Sequence, residues 1–324
     1  MNKVEHITVS DDDDGQRVDR WLKKRLPDIP YGLAQKLIRD GQLRVDGKRA
    51  KADTRLKAGQ DVRIPPVVVK KTGEKAKIGD KAAAFIKSLV IYDDGDIIAI
   101  NKPAGLATQG GTNTRHHVDG MLDALKNKEG VRPRLIHRLD KETSGVLLLA
   151  RSAKVARDMG EIFKGRDIKK IYWAVVSPAP EDDAGTVRAA ITKSMRGAAK
   201  ERMVIDEEEG KKAYTDFVVI DRAGDGAAFV AFWPRTGRTH QIRVHAELMG
   251  SPIVGDTKYG EPSDVISNLA LSDRLHLHAR RIICRHPAKK SMLDITAPLP
   301  DDLMKTWKSL EFNANRKDDP FKDA

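Results

Sequence analysis

One carboxylate, Asp140, stands in the run His137-Arg138-Leu139-Asp140-Lys141-Glu142-Thr143-Ser144-Gly145, just before the apolar stretch Val146 to Ala150. Flanking bases and a Thr-Ser-Gly turn set it at the lip of a segment that reads as a buried strand. A carboxylate so placed can act as nucleophile or base. It can equally be a structural aspartate that pairs with Arg138 or caps the turn, and its own neighbourhood does not separate these readings. Two distant segments bear on the choice. In Lys169-Lys170-Ile171-Tyr172-Trp173-Ala174-Val175 a strand opens on an aromatic flanked by lysines, and Tyr172 can stack on a base or sit in the core. In Pro234-Arg235-Thr236-Gly237-Arg238-Thr239-His240-Gln241-Ile242-Arg243-Val244-His245 a glycine turn feeds a helix crowded with polar groups. Such a run is costly in a folded domain unless those groups face a ligand or one another.

Other chemistries find little support. Gly110-Gly111-Thr112 is a glycine turn without the following Gly-Lys-Ser/Thr of a phosphate loop, and no G-x-G-x-x-G opens a helix. The nine histidines include His240 and His245, five apart and so off a common helix face, and His276 and His278, alternating along a strand. Without carboxylates at ligand spacing they read as packing or hydrogen-bonding groups, and no metal is expected. Ser144 lacks a nucleophile elbow and reads as a turn serine.

These residues need elements to carry them. The chain has 324 residues, 40% hydrophobic and 33% charged, enough for two domains with polar surfaces. No apolar run approaches the ~18 residues of a membrane span. The N-terminus lacks a signal pattern and the single cysteine, Cys284, excludes an intrachain disulfide, so a cytoplasmic location is expected. Net charge is +12, and from Arg17 to Arg63 there are 14 Lys or Arg against 6 Asp or Glu, a net of +8. Charge concentrated in this way is the footprint of a polyanion partner. Val18, Trp21, Leu22 and Leu26 mark one helix, and Leu33, Leu37 and Ile38 a second that stops at Gly41. Asp46-Gly47 marks a hairpin, and Asp61 to Ile64 a strand. Strands follow at Ile97–Ile100, Val146–Ala150, Tyr172–Val176, Tyr214–Ile220 and Ala228–Trp233, with helices at Val118–Lys126, Val155–Phe163 and Thr239–Met249. The sheet reads as mixed and mainly antiparallel, of the α+β type. The expected division is an acidic arm at 1–14, a small basic domain at 15–65, a linker at 66–83, the main domain at 84–310 and a disordered tail at 311–324.

The small domain, above all Leu37-Ile-Arg-Asp-Gly-Gln-Leu-Arg-Val-Asp-Gly-Lys48, resembles the S4 RNA-binding module. Lys36, Arg39, Arg44, Lys48 and Arg49 would then lie on one side of its second helix and hairpin and meet phosphates. The whole span of about residues 15–310 resembles the ribosomal large-subunit pseudouridine synthases, most closely the C type. The resemblance is carried by His-Arg-Leu-Asp-x-x-Thr-Ser-Gly at 137–145, Lys-x-Tyr at 170–172 and Thr-Gly-Arg-Thr-His-Gln-Ile-Arg-Val-His at 236–245. Supporting matches are Asn101-Lys102-Pro103-x-Gly105, Gly255-Asp256-x-x-Tyr259-Gly260 and Leu275-x-Leu277-His278-Ala279.

The resemblance implies an α+β catalytic domain with a mixed, mainly antiparallel sheet and a central cleft, behind a small α/β S4-like domain. It implies an isomerase that converts uridine in large-subunit ribosomal RNA to pseudouridine without a cofactor. In it Asp140 is the catalytic carboxylate, Arg243 the cation that keeps it ionised and Tyr172 the residue stacked on the target base. Arg138 is the side chain expected to fill the space of the flipped-out uridine, and Lys102, Arg235 and Arg238 are expected RNA-backbone contacts. A monomer whose partner is ribosomal RNA or its precursor particle is expected. Alternative readings are a transfer-RNA pseudouridine synthase and a non-catalytic S4-type RNA-binding or ribosome-assembly protein.

Overall fold

The computed structural model describes residues 4–67, 79–111, 116–165, 168–194, 202–260 and 271–322. The expected linker at 66–83 and the Gly110-Gly111-Thr112 turn fall partly outside them. The chain divides into two compact units, Met1–Lys77 and Ile78–Ala324.

In the first unit α1 (Val18–Arg25) and α2 (Tyr31–Arg39) pack on a four-stranded antiparallel sheet of β1 (Glu5–Thr8), β2 (Arg44–Val45), β3 (Lys48–Arg49) and β4 (Asp61–Ile64), in the order β1-β4-β2-β3. Trp21, Leu22, Leu37 and Ile38 bury the helix faces against Val62 and Ile64. Asp46 and Gly47 both take positive φ, 47° and 73°, as a two-residue hairpin turn requires. The acidic arm, read from sequence as solvated, keeps Asp11, Asp12 and Asp14 exposed but is partly built into the fold. Its residues 5–8 pair with β4. The fully buried Asp13 carboxylate accepts hydrogen bonds from the Trp21 indole at 3.1 Å, Lys24 at 2.5 Å and Arg25 at 2.9 Å. Lys24 above all, then Arg25, holds that carboxyl down to about 2 against the opposing pull of burial.

The second unit is built on one eleven-stranded sheet. Its strands are β5 (Val90–Asp93), β6 (Ile97–Lys102), β7 (Arg134–Leu135), β8 (Ser144–Ala150), β9 (Lys169–Val176), β10 (Ala184–Lys193), β11 (Met203–Ile205), β12 (Lys211–Ala223), β13 (Ala227–Pro234), β14 (Leu277–Arg285) and β15 (Met292–Thr296). The order is β11-β10-β12-β13-β9-β14-β8-β6-β5, with β15 also on β14 and β7 also on β8. The helices are α3 (Asp80–Ser88), α4 (Val118–Met121), α5 (Ala153–Lys164), α6 (Gln241–Leu248) and α7 (Asp301–Ser309). The mixed, mainly antiparallel α+β sheet is as expected. Its elements differ in detail: α3 starts inside the expected linker, and the helix expected over Val118–Lys126 is a short α turn continued as 3-10. The tail is packed rather than disordered, because Phe312 and Phe321 bury themselves in the cluster around Trp307, and Lys169 donates to Asp319 at 2.6 Å and to the Phe321 carbonyl at 2.8 Å.

Among the described residues every pairing between these strands is antiparallel except one. β8 runs parallel to β14 over only two residue pairs, Ser144 with His278 and Gly145 with Ala279. Gly145 has φ 117°, and a Cβ there would lie 2.2 Å from the Ala279 carbonyl oxygen. No side chain fits, since the obstacle is backbone and the conformation is one that L-residues avoid. Gly145→Ala is therefore expected to lower the unfolding free energy by at least ~2 kcal/mol from strain and overpacking together. Urea denaturation of the full chain reads this directly, and a wild-type midpoint would show that the seam can yield.

Candidate active site

A cavity of about 560 Å³ opens where three segments far apart in sequence meet: the turn before β8, the start of β9, and the stretch joining β13 to α6. Arg138, Asp140, Tyr172, Arg235, Arg238 and Arg243 all line it, as do His240 and Gln241. The expected main-domain residues thus converge, with the exception of Lys102.

The turn that presents Asp140 is tied down by groups that spend their polarity on backbone. The Thr108 hydroxyl donates to the Leu139 carbonyl at 2.7 Å and accepts from the Leu139 amide at 3.1 Å. Lys102 is fully buried, and its ammonium donates to the carbonyls of Pro103, Leu106 and Lys141 at 2.8, 2.8 and 3.1 Å. This corrects the expectation of an RNA contact: Lys102 is a strut between the end of β6 and the Asp140 turn. Burial pushes it down to about 7, with Glu142 and Asp140 opposing. The His137 ring stacks on Phe163 at 4.7 Å, and its Nε2 accepts from the Leu148 amide at 3.0 Å. Burial pushes this imidazole down to about 3, so it stays neutral. Ser144 does not bond its local turn; its hydroxyl accepts from Arg274 at 2.8 Å and meets His278 Nδ1 at 2.9 Å.

Asp140 itself is left unspent. Among the described residues its carboxylate makes no hydrogen bond, and its side chain is 25% exposed toward the cavity. The ion pair expected with Arg243 is not formed. Arg243, nearly buried, is instead held by Asp256 in a two-pronged pair, Nε to Oδ2 at 2.6 Å and Nη2 to Oδ1 at 2.5 Å, with its guanidinium 4.8 Å from the Tyr259 ring. The cause is local: the Gly255 turn brings Asp256 against α6, and the side chain of Asp256 is fully buried. Burial would lower the Arg243 pKa, but the hydrogen bonds and charge of Asp256, with the charge of Asp140 behind them, raise it on balance. Among the described residues the basic group that comes within 4 Å of the Asp140 carboxylate is His240, Nε2 to Oδ2 at 3.9 Å. Tyr172 forms the cavity wall where two core clusters join, and burial together with the charge of Asp140 raises its hydroxyl well above the usual range, keeping it protonated.

Around this centre Arg138 is exposed at the cavity. Arg235 lies with its guanidinium carbon 3.1 Å from the Trp233 ring centre and donates to Asp216 at 2.5 Å. Arg238 is exposed and reaches the Lys212 carbonyl at 3.3 Å. In the first unit Lys36, Arg39, Arg44, Lys48 and Arg49 are all exposed on α2 and the β2–β3 hairpin. The polar run before α6 proves to satisfy itself in part: Gln241 accepts from Thr236 at 2.7 Å and from the Arg238 amide at 3.0 Å, and donates to the Tyr214 carbonyl and the Thr215 hydroxyl at 2.8 and 2.9 Å. His276 and His278 do not converge on a ligand, since His276 Nε2 meets Thr306 at 2.8 Å while His278 meets Ser144. Among the described residues one carboxylate–imidazole cluster could hold a metal, Asp94-Asp96-His286. It is not part of this cavity, and the Lys289 ammonium already lies 2.6 Å from Asp94.

The chain is similar to known proteins over most of its length. A family described as RNA pseudouridylate synthase matches residues 96–248, and the S4 domain matches residues 16–62. Ribosomal large subunit pseudouridine synthase C of Vibrio parahaemolyticus is 34% identical over 311 residues, covering 94% of this chain and 95% of that protein. The protein of the same name from Escherichia coli K12 is also 34% identical, covering 95% of this chain and 97% of its own length. The solved structure of human RNA pseudouridylate synthase domain containing 4 superposes with a TM-score of 0.61 at 29% identity, covering 71% of this chain and 97% of that one.

Three residues at the site escaped the sequence reading of roles: Asp256, Tyr259 and His240. The first two stand in a motif that sequence reading singles out, yet their attachment to Arg243 and His240 spans a turn and is not written in any spacing. Removing the charge of Asp256 would leave the Arg243 guanidinium buried without a counter-ion. Asp256→Asn is therefore expected to cost ~3–5 kcal/mol of stability, read as a lowered urea midpoint. A midpoint equal to wild type would show that the pair holds nothing.

Proposed function

The chain belongs to the RNA pseudouridylate synthase family, and on that premise we propose that it isomerises uridines of large-subunit ribosomal RNA, with Asp140 as the reacting carboxylate. The observation that carries this reading is a carboxylate with no hydrogen-bond partner among the described residues, firmly seated by its backbone and open to a nucleotide-sized cavity. The reaction breaks the bond from ribose C1′ to uracil N1, turns the ring, and forms a bond from C1′ to C5. The C5 proton leaves and N1 takes one up, so atoms and electrons balance with no redox partner.

On this reading Asp140 attacks the ribose or base, or deprotonates the ribose. Arg243, fixed on Asp256, supplies positive charge to the cavity that Asp140 faces. Tyr172 supplies a ring face for the uracil. Its hydroxyl stays protonated, which suits stacking and disfavours a phenolate base at C5. Arg138 is free at the cavity to take the place of a uridine drawn out of its stack. The basic face of the first unit gathers RNA through phosphates, and the relatives' names point to the large ribosomal subunit as its source. We assign the enzyme to the cytoplasm as a monomer; among the described residues no helix is long and apolar enough to cross a membrane.

Tritium release from RNA labelled at uridine C5 tests the reading. The wild-type enzyme should release it from large-subunit RNA, and Asp140→Asn should fall to background while binding RNA as before. Failure of the wild type on every cellular RNA would leave a non-catalytic RNA-binding protein. Arg138→Ala should slow turnover on structured RNA by on the order of tenfold, the cost of an unassisted unstacking, and spare an unstructured fragment; equal losses on both would remove the flipping role.

A further inference from the structure

His240 has no assigned role, yet among the described residues it is the one basic side chain within 4 Å of the Asp140 carboxylate. Three features set it apart. It adopts a left-handed backbone, φ 53°, immediately before α6, a conformation a non-glycine residue holds only at a cost. Its Nδ1 lies 2.7 Å from the Tyr259 hydroxyl. Its Nε2 points at Asp140 Oδ2 across 3.9 Å.

The hydrogen bonds along this line can all run one way. The Met203 amide can only donate, and it donates to the Tyr259 oxygen at 2.9 Å. Among the described residues the Tyr259 hydroxyl proton has one acceptor in reach, His240 Nδ1, and in this arrangement Nδ1 accepts. A neutral imidazole that accepts at Nδ1 carries its proton on Nε2, the nitrogen facing Asp140. We propose that His240 is a positioning residue for Asp140, its Nε2–H aimed at the carboxylate by a relay that starts at the Met203 amide and passes through Tyr259. The inference rests on Asp140 being the reacting group. A closure of about 1 Å brings the pair to hydrogen-bond distance, as contacts of empty sites commonly tighten when substrate enters. The charged and titratable groups facing the imidazole are Asp140, Arg243, Lys258, Asp256 and Tyr259. Burial, with Arg243 and Lys258, outweighs Asp140 and Asp256, so the ring is neutral near pH 7.

Four variants test the relay by single-turnover tritium release. Asparagine suits the left-handed backbone and can still accept from Tyr259, but it is too short to reach Asp140. His240→Asn should lower kcat by about 10- to 100-fold, the scale of a misplaced reacting group, with KM for RNA and the thermal midpoint unchanged. His240→Gln restores a donor at the Nε2 position and should recover most of the rate. Tyr259→Phe should lower kcat in the wild-type background and add nothing to His240→Asn. Acid should also slow the wild type, because imidazolium carries a proton on Nδ1 and cannot accept from Tyr259; in His240→Gln this limb should move to lower pH, leaving the one that protonation of a carboxylate imposes on any variant. Wild-type kcat in His240→Asn, equal losses for Asn and Gln, additive effects of the Tyr259 change, or an acid limb unmoved by Gln would each overturn the relay. An inactive wild type would remove the Asp140 reading and the inference with it, whereas an active wild type with an unimpaired Asn variant removes the inference alone.

Discussion

The close approach of Gly145 to the backbone of Ala279 is the constraint on which the catalytic unit depends. Through it the only parallel strand pairing among the described residues joins β8 to β14, and β14 in turn carries β9. The turn bearing Asp140 leads directly into this seam, and Tyr172 lies across from Ala279 on the other edge of β14. A seam of two residue pairs thus sets the spacing between the carboxylate and the aromatic wall. Its tolerance is small because backbone meets backbone, and neither side can rotate away as a side chain would.

Around the seam, polar groups are bound up in fixing the chain. Thr108, Lys102 and His137 satisfy amides and carbonyls of the Asp140 turn and its strand, and Arg274 and His278 hold Ser144. Buried polar groups of this kind are stable only when each has a partner. The contrast with Asp140 is what gives the site its character, for among the described residues its carboxylate accepts no hydrogen bond.

Much of this architecture could be read from the chain. The strands β8, β9 and β13 announce themselves as apolar runs, and Val18, Trp21 and Leu22 mark α1 by spacing. By contrast β10 and β15 mix small, charged and apolar residues without a clear run, and α3, opening on Ala-rich sequence beside the expected linker, is hidden by its surroundings. Charged residues misled in one direction. Lys102, Asp13 and the tail read as surface because a lone charge gives no sign of the carbonyls or cations that will bury it. The motifs around Asp140, Tyr172 and Arg243 revealed which residues gather, but not their partners. Arg243 bonds Asp256 rather than Asp140, and His240 faces Asp140 across 3.9 Å from a left-handed backbone. Both facts belong to tertiary geometry that no local periodicity encodes.

The pairing of Arg243 with Asp256 also bears on how the enzyme chooses its RNA. A guanidinium fixed by two of its N–H groups on a buried carboxylate is not free to swing toward an arriving substrate. It supplies a standing field, the same for every uridine that enters, and nothing in it needs to be reset between turnovers. On the proposed reading, selection among uridines then rests on steps before the base reaches the cavity, above all on how readily a given nucleotide leaves its stack.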